Sequence, residues 1–192
     1  VKLIDLVSAY AVLAQDGVQR DQTMILEARD GSGTILEAYS DKSSQVFDAE
    51  YVRQVNDILS DTALRAGLFQ ASLHLTTYAN HDVALKTGTT NDFRDAWAIS
   101  YTPSLFAGVC SGINDNTPMQ RQGSSILAAV PILHDFFAEA LARRAPEAFV
   151  DPARGAHQGR QVDAGVDAHA VQHVHEVLGG EVAGRAGRVG AA

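Results

Sequence analysis

Cysteine is almost missing from this sequence. A single thiol, Cys110, among 192 residues excludes an internal disulfide and a multi-cysteine metal site. Lysine is nearly as scarce, with Lys2, Lys42 and Lys86 the only three. Basic residues number 15 against 23 acidic ones, a net charge of −8. That balance argues against a nucleic-acid partner, which needs a basic patch. No run of about 20 apolar residues occurs, so no stretch is long and apolar enough to span a membrane as a helix. A charged leader followed by an apolar run is also missing, so no signal peptide is visible. The chain begins at Val1 rather than Met, which reads as a cut end.

Apolar residues make up 46% of the chain, enough for one globular domain with a sizeable core. Leu3, Leu6, Val7, Tyr10, Ala11, Leu13 and Ala14 form a helical stripe that Asp16-Gly17 ends, with glycine suited to the left-handed C′ position. Thr23 to Ala28 and Thr34 to Tyr39 read as strands of a hairpin around Asp30-Gly31-Ser32-Gly33. Asp48 is a candidate cap for a helix with Tyr51, Val52, Val55, Ile58 and Leu59 as apolar positions. Residues 60 to 80 read as helix and loop leading to a strand at Lys86. Asp95 to Tyr101 alternates, with Trp97, Ile99 and Tyr101 on one face and Ala96, Ala98 and Ser100 on the other. Thr102-Pro103-Ser104 turns the chain into a strand over Leu105 to Ser111. Ser124 or Ser125 opens a final helix with Ile126, Val130, Leu133, Phe137, Ala140 and Leu141 as its buried stripe. Pro131 is expected to kink it or split off its first turn.

Residues 151–192 are different material. They contain no lysine, no aromatic residue and no isoleucine. They are expected to be a disordered or non-native tail, because they cannot bury enough apolar area to offset ordering at roughly 1–2 kcal/mol per residue. His169, His173 and His175 lack the companions a metal site needs. The division is therefore one domain over residues 1–150 and a tail over 151–192, with no metal and no cofactor expected.

The most informative stretch begins Lys86-Thr87-Gly88-Thr89-Thr90-Asn91-Asp92-Phe93-Arg94-Asp95-Ala96-Trp97. It continues with Tyr101-Thr102-Pro103 and Asp115-Asn116-Thr117-Pro118-Met119. Lys-Thr-Gly at a strand start is one of three signatures of the penicillin-interacting serine enzymes. The whole string resembles the C-terminal part of the transpeptidase domain of class A penicillin-binding proteins, which are bifunctional peptidoglycan synthases. The resemblance covers roughly residues 3 to 149. A phosphate-binding loop is excluded, because Asn80 and Leu85 occupy the positions where that motif needs glycine.

Transpeptidation of a D-alanyl peptide needs a nucleophile, a base, an oxyanion hole and an anchor for the substrate carboxylate. The resemblance implies that the Lys86 strand supplies the last two. Its edge pairs with the extended substrate, and Gly88 lets the backbones approach. Thr87, Gly88 and Thr90 are the candidate substrate-binding residues and Lys86 and Thr89 the candidate catalytic ones, with the hydroxyls of Thr87 and Thr89 offered to the substrate carboxylate. The N–H of Thr89 is by resemblance an oxyanion donor, a group worth about 3–4 kcal/mol in the transition state. Lys86 supplies fixed positive charge. Asp92, Arg94 and Asp95 read as ties of the following turn, Trp97 as packing, and Asn114 to Asn116 as a turn rather than a calcium loop. Cys110 reads as buried packing rather than a nucleophile, and His74, His81 and His134 as structural or exposed.

The family's Ser-x-x-Lys and Ser-x-Asn motifs do not occur. Tyr39 stands three before Lys42 and Val83 three before Lys86. In the family both motifs lie before Lys-Thr-Gly. Leu85 stands where the family usually has glycine and is expected to crowd the strand next to the site; Cys110 stands where it has tryptophan and Ser100 where it has glycine, and these two are expected to alter packing only. The expected fold is mixed α+β, part of a penicillin-binding/β-lactamase-like domain, with an antiparallel sheet and packed helices. The expected parent is a serine-type D,D-transpeptidase anchored at the outer face of the cytoplasmic membrane. It would take peptidoglycan stem peptides ending in D-Ala-D-Ala, and β-lactams. The chain alone is expected to be inactive. The alternative is a non-catalytic binding module of the same fold; a β-lactamase or carboxypeptidase fits the strand after Lys-Thr-Gly-Thr-Thr less well.

Overall fold

The computed structural model describes residues 1–120 and 123–153. The tail expected over 151–192 lies almost wholly outside them. The compact unit runs from Lys2 to Pro152.

Helix α1 spans Leu3–Ala14 and buries Tyr10, Val12, Leu13 and Ala14. It ends as the sequence predicts, with one shift of position. Asp16, at φ 53°, takes the left-handed site, and Gly17 follows it at φ 85°. The Gly17 N–H closes back onto the Val12 carbonyl at 2.8 Å, a bond that satisfies an orphan carbonyl of the last turn. A Cβ on Gly17 would lie 2.3 Å from the Phe47 carbonyl oxygen, so glycine is required there on two counts.

Two small ribbons follow. β1 (Val18–Arg20) pairs with β4 (Ser43–Gln45), a pairing with no hydrophobic alternation to announce it. β2 (Glu27–Arg29) and β3 (Ile35–Ala38) form the expected hairpin, but its first strand starts at Glu27 rather than Thr23. The Asp30 carboxylate accepts from the N–H groups of Ser32 and Thr34 at 2.8 and 2.9 Å and organises the turn.

Helix α2 (Ala49–Ser60) is capped by Asp48, which accepts from the Glu50 N–H at 2.8 Å. Its predicted stripe is corrected. Tyr51 and Ile58 are exposed, and the buried positions are Val52 and Asn56. Asn56 is tolerated inside because both ends of its amide are bonded: it donates to the Leu13 carbonyl at 2.9 Å and accepts from the Tyr101 hydroxyl at 2.8 Å. Helix α3 (Thr62–Phe69) is capped by Asp61 and leads into a 3₁₀ turn over Gln70–Thr76. Arg65 fastens this junction by donating to the carbonyls of Leu59, Ser60, Thr76 and Val83.

The main sheet is antiparallel in the order β5 (Ala84–Thr89), β6 (Asp95–Tyr101), β7 (Phe106–Gly112). β5 is therefore an edge strand. Leu85, Ala96 and Ala98 pack with Val130, Leu133, Phe137 and Leu141 in one core. On the opposite face the rings of Tyr101 and Tyr10 lie 5.9 Å apart, and a Cβ added to Gly108 would meet Val7 and Leu3 of α1. Pro131 splits the last helix as expected, into α4 (Ser125–Ala128) and α5 (Val130–Leu141). The segment after α5 folds back: the Glu147 carboxylate accepts from the hydroxyls of Thr102 and Ser104, and Phe149 meets Tyr101 edge-on. Among the described residues no helix is long and apolar enough to cross a membrane.

Candidate active-site strand and its edge

β5 changes character halfway. Ala84 and Leu85 are buried, whereas Lys86, Gly88 and Thr89 are exposed. The hydrogen bonds fix which way each residue faces. The Thr90 N–H donates to the Asp95 carbonyl at 2.9 Å. Antiparallel pairing alternates along a strand, so Gly88 and Lys86, two and four residues back, also turn their main-chain groups to β6. Those of Thr89, Thr87 and Leu85 turn to the open edge. The Lys86 ammonium reaches around the same edge and donates to the Thr87 carbonyl at 2.5 Å. Desolvation pushes that ammonium below its ordinary lysine value, although the residue as a whole is exposed.

The residues singled out from sequence are thus contiguous on one strand end, with Thr90 just beyond it. Their side chains are not equally available. The Thr90 hydroxyl accepts from the Asp95 N–H at 2.7 Å and closes the turn. The Thr89 hydroxyl accepts from the Ser125 N–H at 3.0 Å and lies 3.1 Å from the Ser125 hydroxyl. The Thr87 hydroxyl has no hydrogen-bond partner among the described residues. A Cβ on Gly88 would meet only Trp97 Cβ, at 3.9 Å, which is ordinary contact.

The loops beside the strand end are held in unusual backbone. Asp92, Phe93 and Asn116 have φ of 60°, 56° and 62°. Arg94 donates to the Asn116 carbonyl and sits 3.9 Å from Asp92. The Met119 N–H reaches the Phe93 carbonyl at 2.9 Å. Asp115 accepts from the N–H and hydroxyl of Thr117, so Asn114 to Asn116 is a turn. Asp92, Arg94 and Asp95 therefore serve the connection, as expected of them.

Two expectations change. Leu85 does not crowd the edge, because its side chain is in the core. Cys110 is exposed rather than buried, on β7 opposite Trp97. Partial desolvation and the Asp95 carboxylate both push its thiol up, so it is not an activated nucleophile. Ser125 and Arg65 were not legible in advance. Ser125 reads locally as a helix opener, and its partner lies 36 residues away. Among the described residues no three His, Cys, Asp or Glu side chains converge as metal ligands.

The sequence model of the penicillin-binding protein transpeptidase domain matches residues 1–136. The chain belongs to that family. It is 29% identical over 133 residues to penicillin-binding protein 1A of Aquifex aeolicus, a match that covers 69% of this chain and 18% of the relative. Penicillin-binding protein 2D of Bacillus subtilis is 27% identical over 164 residues, covering 81% and 22%. The fold matches the crystal structure of penicillin-binding protein 1A from Haemophilus influenzae with a TM-score of 0.66 at 17% identity, covering 80% of this chain and 28% of that one. The chain thus spans about a fifth of the length of these curated relatives. The mixed architecture of helices and an antiparallel sheet is that of solved penicillin-binding transpeptidase structures.

Proposed function

We propose that this chain is the C-terminal part, over residues 1–150, of a class A penicillin-binding protein that cross-links peptidoglycan stem peptides outside the cytoplasmic membrane. The observation that carries this reading is the open edge of β5. Thr87 and Thr89 turn their main-chain groups outward there, beside an ammonium and a glycine that internal packing does not demand. An extended peptide ending in D-Ala-D-Ala adds to that edge as a further strand. The Lys86 charge draws its terminal carboxylate, and the Thr87 hydroxyl, without a partner among the described residues, donates to it. The Thr89 N–H points outward to receive developing negative charge on the attacked carbonyl. A β-lactam offers the same carboxylate and carbonyl.

The nucleophile belongs to the part of the protein that carries Ser-x-x-Lys, which this sequence does not contain. The 192-residue chain is therefore expected to form no acyl adduct with a labelled penicillin. The reading frame upstream of Val1 is expected to encode Ser-x-x-Lys, Ser-x-Asn and a membrane anchor. The protein expressed from that longer frame is expected to take up the label. A start codon immediately ahead of Val1, or an adduct on the chain itself, would sink this reading.

A further inference from the structure

The chain between Gly17 and Ala49 takes no part in the core, for none of its residues is buried. The Gly17 carbonyl closes the base of this excursion by accepting from the Val46 and Phe47 N–H groups at 2.9 and 3.3 Å. What lies between is an arm of two ribbons, β1–β4 at its base and the β2–β3 hairpin beyond. A lone two-stranded hairpin is marginal in water. Polar chemistry holds this one. Asp30 organises its turn, and Arg29 donates to both oxygens of the Glu27 carboxylate and to the Gly33 carbonyl. Its apolar side chains stay bare, with Ile35 and Leu36 exposed at 50% and 68%. Apolar residues grouped on an ordered, coreless arm mark an interaction surface.

The register defines one face of the hairpin. Glu27 pairs with Ala38 and Arg29 with Ile35. Residues directly opposite share a face, and the Glu27–Arg29 ion pair puts both of those on the same one. All four are exposed. The set is self-complementary. A second copy laid face to face, with its strands reversed about a two-fold axis level with Ala28, brings Glu27 against the other copy's Arg29. Arg29 meets the other copy's Glu27, and the bulk of Ile35 falls on the small Ala38. With the strands parallel instead, both charges would face Ala38 and Ile35, and a charge covered without a partner is costly.

We propose that this face of the β2–β3 hairpin docks on the same face of a second copy of the chain, in a closed antiparallel pair. The contact is well below the roughly 20–30 residues a side of a standard interface, so the pair is weak and forms at high concentration. An anionic lipid surface fits the arm less well. Residues 18–45 hold five acidic and three basic side chains, and the tip, Asp30-Gly31-Ser32-Gly33, is polar.

The test is sedimentation velocity and amide shifts of the 192-residue chain from low micromolar to millimolar concentration. The sedimentation coefficient is expected to rise with concentration, with shift changes centred on hairpin residues 25–29 and 35–38. Glu27→Arg and Arg29→Glu each set like charges across the two-fold and should weaken association about tenfold or more. An equal mixture of the two variants restores opposite charges across the axis and should associate at least as well as the wild type. A purely local role of the ion pair would give no such rescue. The Tyr39 amide, which donates to the Leu26 carbonyl in the ladder, reports whether each hairpin is intact. Should either reversal unfold it, Ile35→Asp, which leaves the ion pair in place, decides alone and must abolish the association. The proposal is overturned by a chain that stays monomeric, by shift changes centred on the β5 or β7 edge instead, or by intact variants that associate as the wild type does. A mixture of intact variants that stays monomeric overturns it too. So does a monomeric hairpin that responds to phosphatidylglycerol vesicles, an outcome that would assign the arm to lipid.

Discussion

Two glycines of the same sheet do opposite work. Gly108 lies in β7 beneath α1, where an added Cβ would come within 2.7 Å of Val7 and 3.0 Å of Leu3. Gly88 lies at the open edge of β5, where the nearest atom to an added Cβ is 3.9 Å away. The first glycine is explained by the protein's own packing, because a helix presses on it. The second is not explained by packing among the described residues. Under the proposed function, what requires it is a substrate backbone laid along that edge.

Substitutions can break this contrast. Gly108→Ala is expected to be the most damaging, at about 1–3 kcal/mol of overpacking, read as a lower denaturation midpoint. Unchanged stability would mean that α1 yields easily and that the close contact is not a constraint. Asp48→Ala removes the cap of α2 on the same side of the sheet and should cost about 1 kcal/mol. Gly88→Ala should leave stability unchanged or raise it by about 0.5–1 kcal/mol, since alanine restricts the unfolded strand more than glycine does. The same variant should lose the peptide. A Gly88→Ala chain that unfolds more easily would show that internal packing needs this glycine after all.

The smallest effect is a pH dependence far from the sheet. Hydrogen bonds from Ser32, Thr34 and Gly33 hold the exposed Asp30 carboxyl below its ordinary value, the Ser32 hydroxyl foremost. A lowered folded value means the turn is fully supported above the unfolded carboxylate range and loses that support as pH falls through the folded value. Amide exchange at Ser32 and Thr34 should therefore quicken only in strongly acid solution, while the β5–β6 ladder is unaffected.

Much of this molecule was legible before its structure. The helix over Leu3–Ala14, the cap at Asp48, the strands around Trp97 and the break at Pro131 each follow from local pattern or local chemistry. The motif at Lys86 gave the family. Three things were hidden, and each depends on partners distant in sequence. β1 and β4 are too short and polar to show alternation. Asn56 looks like a surface residue until Leu13 and Tyr101 satisfy it. Cys110 sits mid-strand in an apolar run, yet it is exposed among the described residues. At the site itself, sequence named five residues but could not show that the hydroxyls of Thr89 and Thr90 are already engaged.

The most direct test of the central claim is an amide-shift titration of the wild-type chain with diacetyl-L-Lys-D-Ala-D-Ala, repeated on Gly88→Ala. The account predicts shifts at the outward-facing amides of Thr87 and Thr89, smaller changes at Lys86 and Gly88, which face β6, and loss of the response in Gly88→Ala. No response on β5, or one centred on β7 and unaffected by Gly88→Ala, would contradict it.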